Sequence, residues 1–241
     1  MLQQNIIKGK ILLKSGLHIG GSDAGVKIGG IDSAVIKNPL NDEPYIPGSS
    51  LKGKLRFLLE HKENVADLNN GDVPKYEKGK NELIPTIFGN TTDREHEDNP
   101  EFPTRIIVRD ANVIGAIKDY NESDFFDKPI IDKNESKALM QSTFSEEKTE
   151  VVIDRLTGFV SGHGGPRQIE RVPAGTVFEF EIVLRVFKEG EQDEHISILK
   201  QGLKLLENDA LGGFGSRGSG RIKFFDITLD GEKFSLDDVT L

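Results

Sequence analysis

The chain has 241 residues, with 31 Lys and Arg against 40 Asp and Glu, a formal net charge of −9. It contains no cysteine, which excludes disulfides and Cys-ligated zinc and suits a reducing cytoplasm. No run approaches the ~20 apolar residues that span a bilayer, so a globular chain without a membrane partner, long enough for one sizeable core, is expected.

Residues 6–13 read as a strand rich in Ile and Leu, and Lys8, Lys10 and Lys14 interrupt any apolar run of the kind a secretory signal needs. A Gly-rich stretch follows over 16–30, and a short strand resumes at 34–36. Pro47 and Gly48 punctuate, with Ser49 or Ser50 as the expected cap of an amphipathic helix. Leu51, Leu55, Leu58 and Leu59 line its apolar stripe at i, i+4, i+7 and i+8. Lys52 and Arg56 flank that stripe, and Gly53 leaves the solvent side open for a phosphate to approach the helix start.

Residues 60–103 turn polar and acidic and read as an insertion, before a strand over 104–114. Residues 118–150 are long and polar, with scattered apolar positions that include Phe125, Phe126, Met140 and Phe144, and read as a projection rather than core. An extended piece is expected at 151–159, an alternating strand at 176–187, a helix at 195–207, a glycine loop at 210–220 and a last strand at 221–229. This order predicts an α+β chain, one domain over 1–241. Its ferredoxin-like or RNA-recognition-like β-α-β-β-α-β core would carry large insertions at about 60–103 and 118–150.

The charge is unevenly spread. Three windows hold Lys and Arg with no carboxylate between them: 1–22 with Lys8, Lys10 and Lys14; 44–59 with Lys52, Lys54 and Arg56; and 210–225 with Arg217, Arg221 and Lys223. Each sums to +3, which leaves −18 on the rest of the chain. Such polarity fits a groove for a polyanion; the competing reading is three ordinary solvated faces.

Gly213, Gly215 and Gly218 match G-x-G-x-x-G, but the loop follows a helix and precedes a strand, the reverse of what a dinucleotide fingerprint requires. With Arg217 and Arg221 it can instead bring backbone N–H groups and guanidinium forks to phosphates. His18, in GLHIGG, ends the first strand and could contact RNA or act as a general acid or base. His163 has a similar glycine-rich setting. Neither belongs to a spacing that makes a triad or a metal site. Asp32, in GGIDSAV, follows a glycine pair and reads either as a residue at a site margin or as an Asx-turn cap.

Together GLHIGG, GGIDSAV, YIPGSSLKGKLR and GGFGSRGSGRI resemble the RAMP-superfamily backbone subunit of type III-A CRISPR (Csm) effector complexes, over nearly the whole chain. The resemblance implies copies packed side by side on one CRISPR guide RNA, with other subunits of the complex. Each copy would cut the complementary target RNA at a regular interval, with Asp32 as the catalytic aspartate. It implies guide contacts at His18, Lys52, Lys54, Arg56, Gly213, Gly215, Arg217, Gly218 and Arg221, and a lid-like insertion at 60–103. Residues 118–150 would be the thumb that flips a base out of the duplex. Since that segment is acidic, its apolar residues Phe125, Phe126 and Met140 are the expected wedge.

RNA supplies its own nucleophile, the 2′-OH, so cutting requires alignment of that oxygen with phosphorus and stabilisation of charge. Asp32 could take the hydroxyl proton or hold a hydrated Mg²⁺, completed by RNA phosphates and water, with no zinc. Two alternatives remain: a non-catalytic guide-RNA scaffold, and a stand-alone guide-processing endoribonuclease that uses His18.

Overall fold

The computed structural model describes residues 3–21, 33–66, 71–74, 77, 80–89, 103–140, 144–160 and 166–240. In chain order these form β1 (Gln3–Leu13), β2 (Tyr45–Ile46), α1 (Gly48–Lys62), α2 (Leu83–Phe88), β3 (Ile106–Val108), β4 (Ala111–Ile117), β5 (Ile130–Asp132) and α3 (Lys133–Met140). There follow β6 (Glu146–Glu150), β7 (Arg167–Arg171), β8 (Thr176–Val186), α4 (Gln192–Glu207), β9 (Ile222–Leu229) and β10 (Glu232–Lys233).

The main sheet has the order β10-β9-β1-β8-β4-β2, with antiparallel pairing throughout. Its inner strands β9-β1-β8-β4, joined through α1 and α4, are the α+β, ferredoxin-like core that the element order predicts. The two helices pack on each other and on one face of the sheet. Leu51, Leu55 and Leu59 of α1 meet Leu199, Leu203 and Leu206 of α4, all buried, above Ile7, Ile11, Phe178, Phe180 and Phe224. At roughly 1.5–3 kcal/mol per buried leucine, this layer is the main apolar stabilisation of the chain.

The segment 104–114 is not one strand. β3 pairs with Ile182–Leu184 of β8, and β4 pairs with its Thr176–Glu179 end. In the break between them, the Asp110 carboxylate accepts the N–H of Gly48, the first residue of α1, at 2.7 Å. The cap expected from Ser49 or Ser50 therefore comes from a distant aspartate. The N-cap position is Pro47, whose ring presets the helix start and leaves both serines inside the first turn. The same carboxylate occupies the helix end at which a phosphate was expected. Residues 34–36 make one isolated bridge, Gly20 to Val35, and not a strand.

Both expected insertions are tied to the core. α2, within 60–103, buries Ile84, Ile87 and Phe88 in the main cluster. Within 118–150, β5 pairs with β4, α3 packs on β4, β6 pairs with β7, and Phe144 is fully buried. Phe125 joins Leu12, Ile117 and Val177 in a second cluster. Leu12 alternates with Ile11 and Leu13 of the main core, so this cluster lies on the other face of the sheet. The described residues of 118–150 thus pack against the sheet and the core rather than forming a free projection. They show no sustained period because each of several short elements sends one or two large side chains inward.

A run of exposed apolar residues lies just beyond. Val151, Val152, Ile153, Leu156, Phe159 and Val160 all face solvent, with Leu156 96% and Phe159 77% exposed. They sit on a turn in which Ile153 bridges Val160 and the Asp154 carboxylate accepts the N–H groups of Leu156 and Thr157. No helix among the described residues is long and apolar enough to cross a membrane.

Candidate nucleic-acid interface

β1 leads through Gly16 to His18, which is 5% exposed and fully engaged. The Glu170 carbonyl can only accept, so His18 Nδ1 donates to it at 2.8 Å, and in the neutral ring Nε2 accepts from the Ser33 hydroxyl at 3.2 Å. The ring packs on Phe214 of the glycine loop, centroids 4.9 Å apart, and the His18 carbonyl accepts the Gly213 N–H at 2.8 Å. His18 therefore fastens three pieces of chain together, and the nitrogen a general base would use is taken.

Glu170 in β7 completes this junction. Its N–H donates to the Ser33 carbonyl at 3.0 Å, and its carboxylate accepts the Val35 N–H at 2.9 Å, Lys37 Nζ at 2.7 Å and the Ser145 hydroxyl. Burial pushes the Glu170 carboxyl up, but the hydrogen bonds from Lys37, Ser145 and Val35 outweigh it and hold the group below the usual carboxylate range. Asp32 and His163 lie outside the described residues. Ser33, the next residue in the chain after Asp32, is held from both sides, by His18 and by Glu170.

The glycine loop is shaped by close approach. Gly212 has φ +74° and a Cβ there would strike the His18 carbonyl; Gly220 has φ +80° and would strike that of Leu211. Gly215 opens a short 3-10 turn to Arg217, and Gly218 closes it at φ +85°. Phe214 itself sits at φ +62°, its ring between His18 and the Arg217 guanidinium, which lies 4.4 Å from the ring centroid.

The three acid-free windows do not remain acid-free in space. Arg217 pairs with Glu150 at 2.7 Å, Arg221 with Glu122 at 2.9 Å and Lys223 with Glu207 at 3.0 Å. Lys8 pairs with Glu181, Lys10 with Asp226, Lys14 with Glu122 and Lys54 with Asp209. Arg56 is spent on the fold: it donates to Glu60 at 2.6 Å, the Gly89 carbonyl at 2.7 Å and the Pro74 carbonyl at 3.2 Å. Lys52 alone of the nine has no carboxylate partner among the described residues. Burial, with Arg56 and Arg185 nearby, lowers its pKa, the condition of a cation short of an anion.

The expected wedge residues scatter. Phe125 is buried, Met140 is partly buried against the main core, and Phe126 is exposed but stacked on Phe125 at 3.9 Å. Sequence reasoning missed Ser33, Glu170 and Phe214. The available signal was that GLHIGG, GGIDSAV and GGFGSRGSG are all glycine-rich stretches beside predicted strands, where backbones can meet. No group of three or more His, Asp or Glu side chains forms a metal site among the described residues.

A model of the RAMP superfamily matches residues 10–223. The CRISPR system Cms endoribonuclease Csm3 of Streptococcus thermophilus is 38% identical over 217 residues, covering 89% of this chain and 84% of that protein. The protein of the same name from Methanocaldococcus jannaschii is 40% identical over 226 residues, 93% of this chain and 79% of that one. Among solved structures, the Csm3-Csm4 subcomplex of the type III-A CRISPR-Cas interference complex contains a similar chain. Its TM-score is 0.51 and its identity 30%, covering 94% of this chain and 77% of that one. A chain of the type III-B Cmr-beta complex bound to cognate target RNA shares the fold at TM-score 0.56 and 17% identity, covering 94% of this chain and 61% of that one.

Proposed function

This chain belongs to the RAMP superfamily, and on that premise we propose that it is a guide-RNA-binding backbone subunit of a type III-A CRISPR effector complex. In this reading it is an endoribonuclease that cuts complementary target RNA at regular intervals, in the cytoplasm, with copies of itself and other subunits along one guide. The observation that carries the reading is the junction at His18. One buried ring ties the glycine loop, with Arg217 and Arg221, to Ser33, the residue that follows Asp32 in the chain. RNA phosphates held at the loop then lie on the same scaffold as the segment that bears the carboxylate.

His18 is a scaffold residue here, and Asp32 is the catalytic group. Lys52, without a carboxylate partner among the described residues, is the α1 cation most ready for a phosphate, whereas Lys54, Arg217 and Arg221 must first exchange a carboxylate for it. Arg56 contributes through the fold of α1 against the chain near Gly89. Gly213, Gly215 and Gly218 give the loop its shape. The absence of a three-ligand cluster among the described residues is compatible with Mg²⁺, which keeps several waters and needs one or two protein carboxylates. Asp32 would hold it together with RNA oxygens and water, where it would offset charge at the reacting phosphate.

The wedge belongs to the turn at 151–160 rather than to Phe125, Phe126 and Met140. Leu156 and Phe159 offer large apolar side chains that are 96% and 77% exposed among the described residues, and they follow directly from β6, whose Glu150 touches Arg217. Inserted between bases they would loosen the RNA backbone toward in-line geometry. The test of the reading is to assemble the complex on a guide of known sequence and map cuts on a long complementary RNA. Cuts at a constant interval support it, and an intact RNA in the presence of Mg²⁺ overturns it.

A further inference from the structure

Residues 118–150 supply the carboxylates that a phosphate must displace from Arg217 and Arg221, and those carboxylates are not simply solvated. Glu122 receives Arg221 Nη2 at 2.9 Å and Nη1 at 3.4 Å, and Lys14 Nζ at 2.8 Å. One carboxylate thus sits in the fork of an arginine and beside a lysine, the arrangement cations adopt around a phosphate. Glu150 receives Arg217 at 2.7 Å and Lys148 at 3.0 Å, while Lys148 also donates to the Arg217 carbonyl at 3.0 Å. Both arginines of the glycine loop are therefore neutralised, and both by residues of this one segment. The cations beside Glu122 hold its carboxyl below the usual range, Lys14 first and then Arg221, so it stays ionised at neutral pH.

We infer that Glu122 and Glu150 stand where RNA phosphates will stand, and that they set how strong a polyanion must be to enter the glycine loop. The inference rests on the reading of that loop as an RNA site. Its physical content is an exchange. A phosphate arriving at Arg221 or Arg217 frees a carboxylate, which then gathers a solvent cation. The ion released from the RNA is balanced by the ion taken up, and the gain that drives non-specific binding is cancelled. Short or weakly held RNA gains too little to displace both carboxylates. A guide held by many contacts along successive copies is strong enough to do so.

The test uses the full-length chain free of RNA and a single-stranded oligouridylate as probe, between about 50 and 200 mM salt. The variant Glu122→Gln with Glu150→Gln keeps shape and removes charge. Its control, Glu189→Gln with Glu232→Gln, removes the same charge from two exposed sites with no ion pair among the described residues. The expected result at low salt is binding about 2- to 30-fold tighter for the first variant, the range for two exposed ion pairs. Its slope of log affinity against log salt should steepen by about 0.7 for each carboxylate removed, with little change in the control. Equal effects in both pairs, or none in either, overturn the inference. Arg217→Ala with Arg221→Ala separates it from its premise. Unchanged binding in that variant removes the RNA site itself, whereas weakened binding there with no gain from the glutamines removes only the role of Glu122 and Glu150.

Discussion

The Ser33 hydroxyl meets His18 Nε2 at 3.2 Å while His18 Nδ1 donates to the Glu170 carbonyl at 2.8 Å, so the ring is a buried crosslink between β1, β7 and the chain beside Asp32. His18→Ala should leave both partners unsatisfied around a cavity and cost about 2–4 kcal/mol, with RNA binding reduced alongside. His18→Gln, which retains one donor and one acceptor, should lose less. Urea unfolding and RNA titration of the two variants check this. An alanine variant of unchanged stability would show that the ring is dispensable.

The two cations flanking the stripe of α1 should behave differently. Lys52→Ala should weaken RNA binding for every sequence and lower the salt slope by about 0.7 to 0.9, with the melting temperature unchanged. Arg56→Ala should lose three hydrogen bonds, destabilise the chain by about 1–3 kcal/mol and leave the salt slope as it was. The reverse pattern would exchange their roles.

Acid should reach the site through Glu170. Its folded pKa lies below the unfolded value of about 4.3, so its contribution to stability is complete above that value. The contribution is lost as the pH falls through the folded value. Glu170→Gln should therefore unfold more easily at pH 7 and show a shallower decline of stability below about pH 4.5. Urea midpoints between about pH 3 and 7 read both effects, and parallel curves for the two chains would contradict the assignment.

Leu156→Ala with Phe159→Ala removes the most exposed apolar side chains of the 151–160 turn. Guide coating and chain stability should be preserved, the second within about 0.5 kcal/mol, while cutting slows by tenfold or more. Phe126→Ala is the comparison and should cut normally. A Phe126 variant that fails to cut beside a competent Leu156 and Phe159 variant would return the wedge to 118–150.

The parts of this molecule legible in the sequence are those set by local period. The leucines at 51, 55 and 59 predict α1, residues 199, 203 and 206 predict α4, and alternation over 176–187 predicts β8. The order of these elements then leads to the ferredoxin-like sheet. What escaped depends on contacts between distant positions. Asp110 caps a helix 62 residues earlier in the chain, and Glu170 holds Val35 across 135 residues. The windows chosen for lacking carboxylates could not reveal Glu122 or Glu150, because each acid arrives from another element. Phe125 and Phe144 read as isolated apolar spots because each goes inward from a mostly polar piece of chain, Phe125 against the sheet's second cluster and Phe144 into the main core.

If Asp32 cuts RNA on a scaffold that binds it independently, cleavage by the assembled complex carrying Asp32→Ala or Asp32→Asn reads this most directly. With a guide-complementary RNA and Mg²⁺, both variants should bind guide and target within a few-fold of the natural chain and leave the target uncut. The amide keeps the shape of the carboxylate and loses its charge and basicity. Cutting by the Asn variant at the natural rate and spacing, or parallel loss of binding and cutting in both variants, would contradict the account.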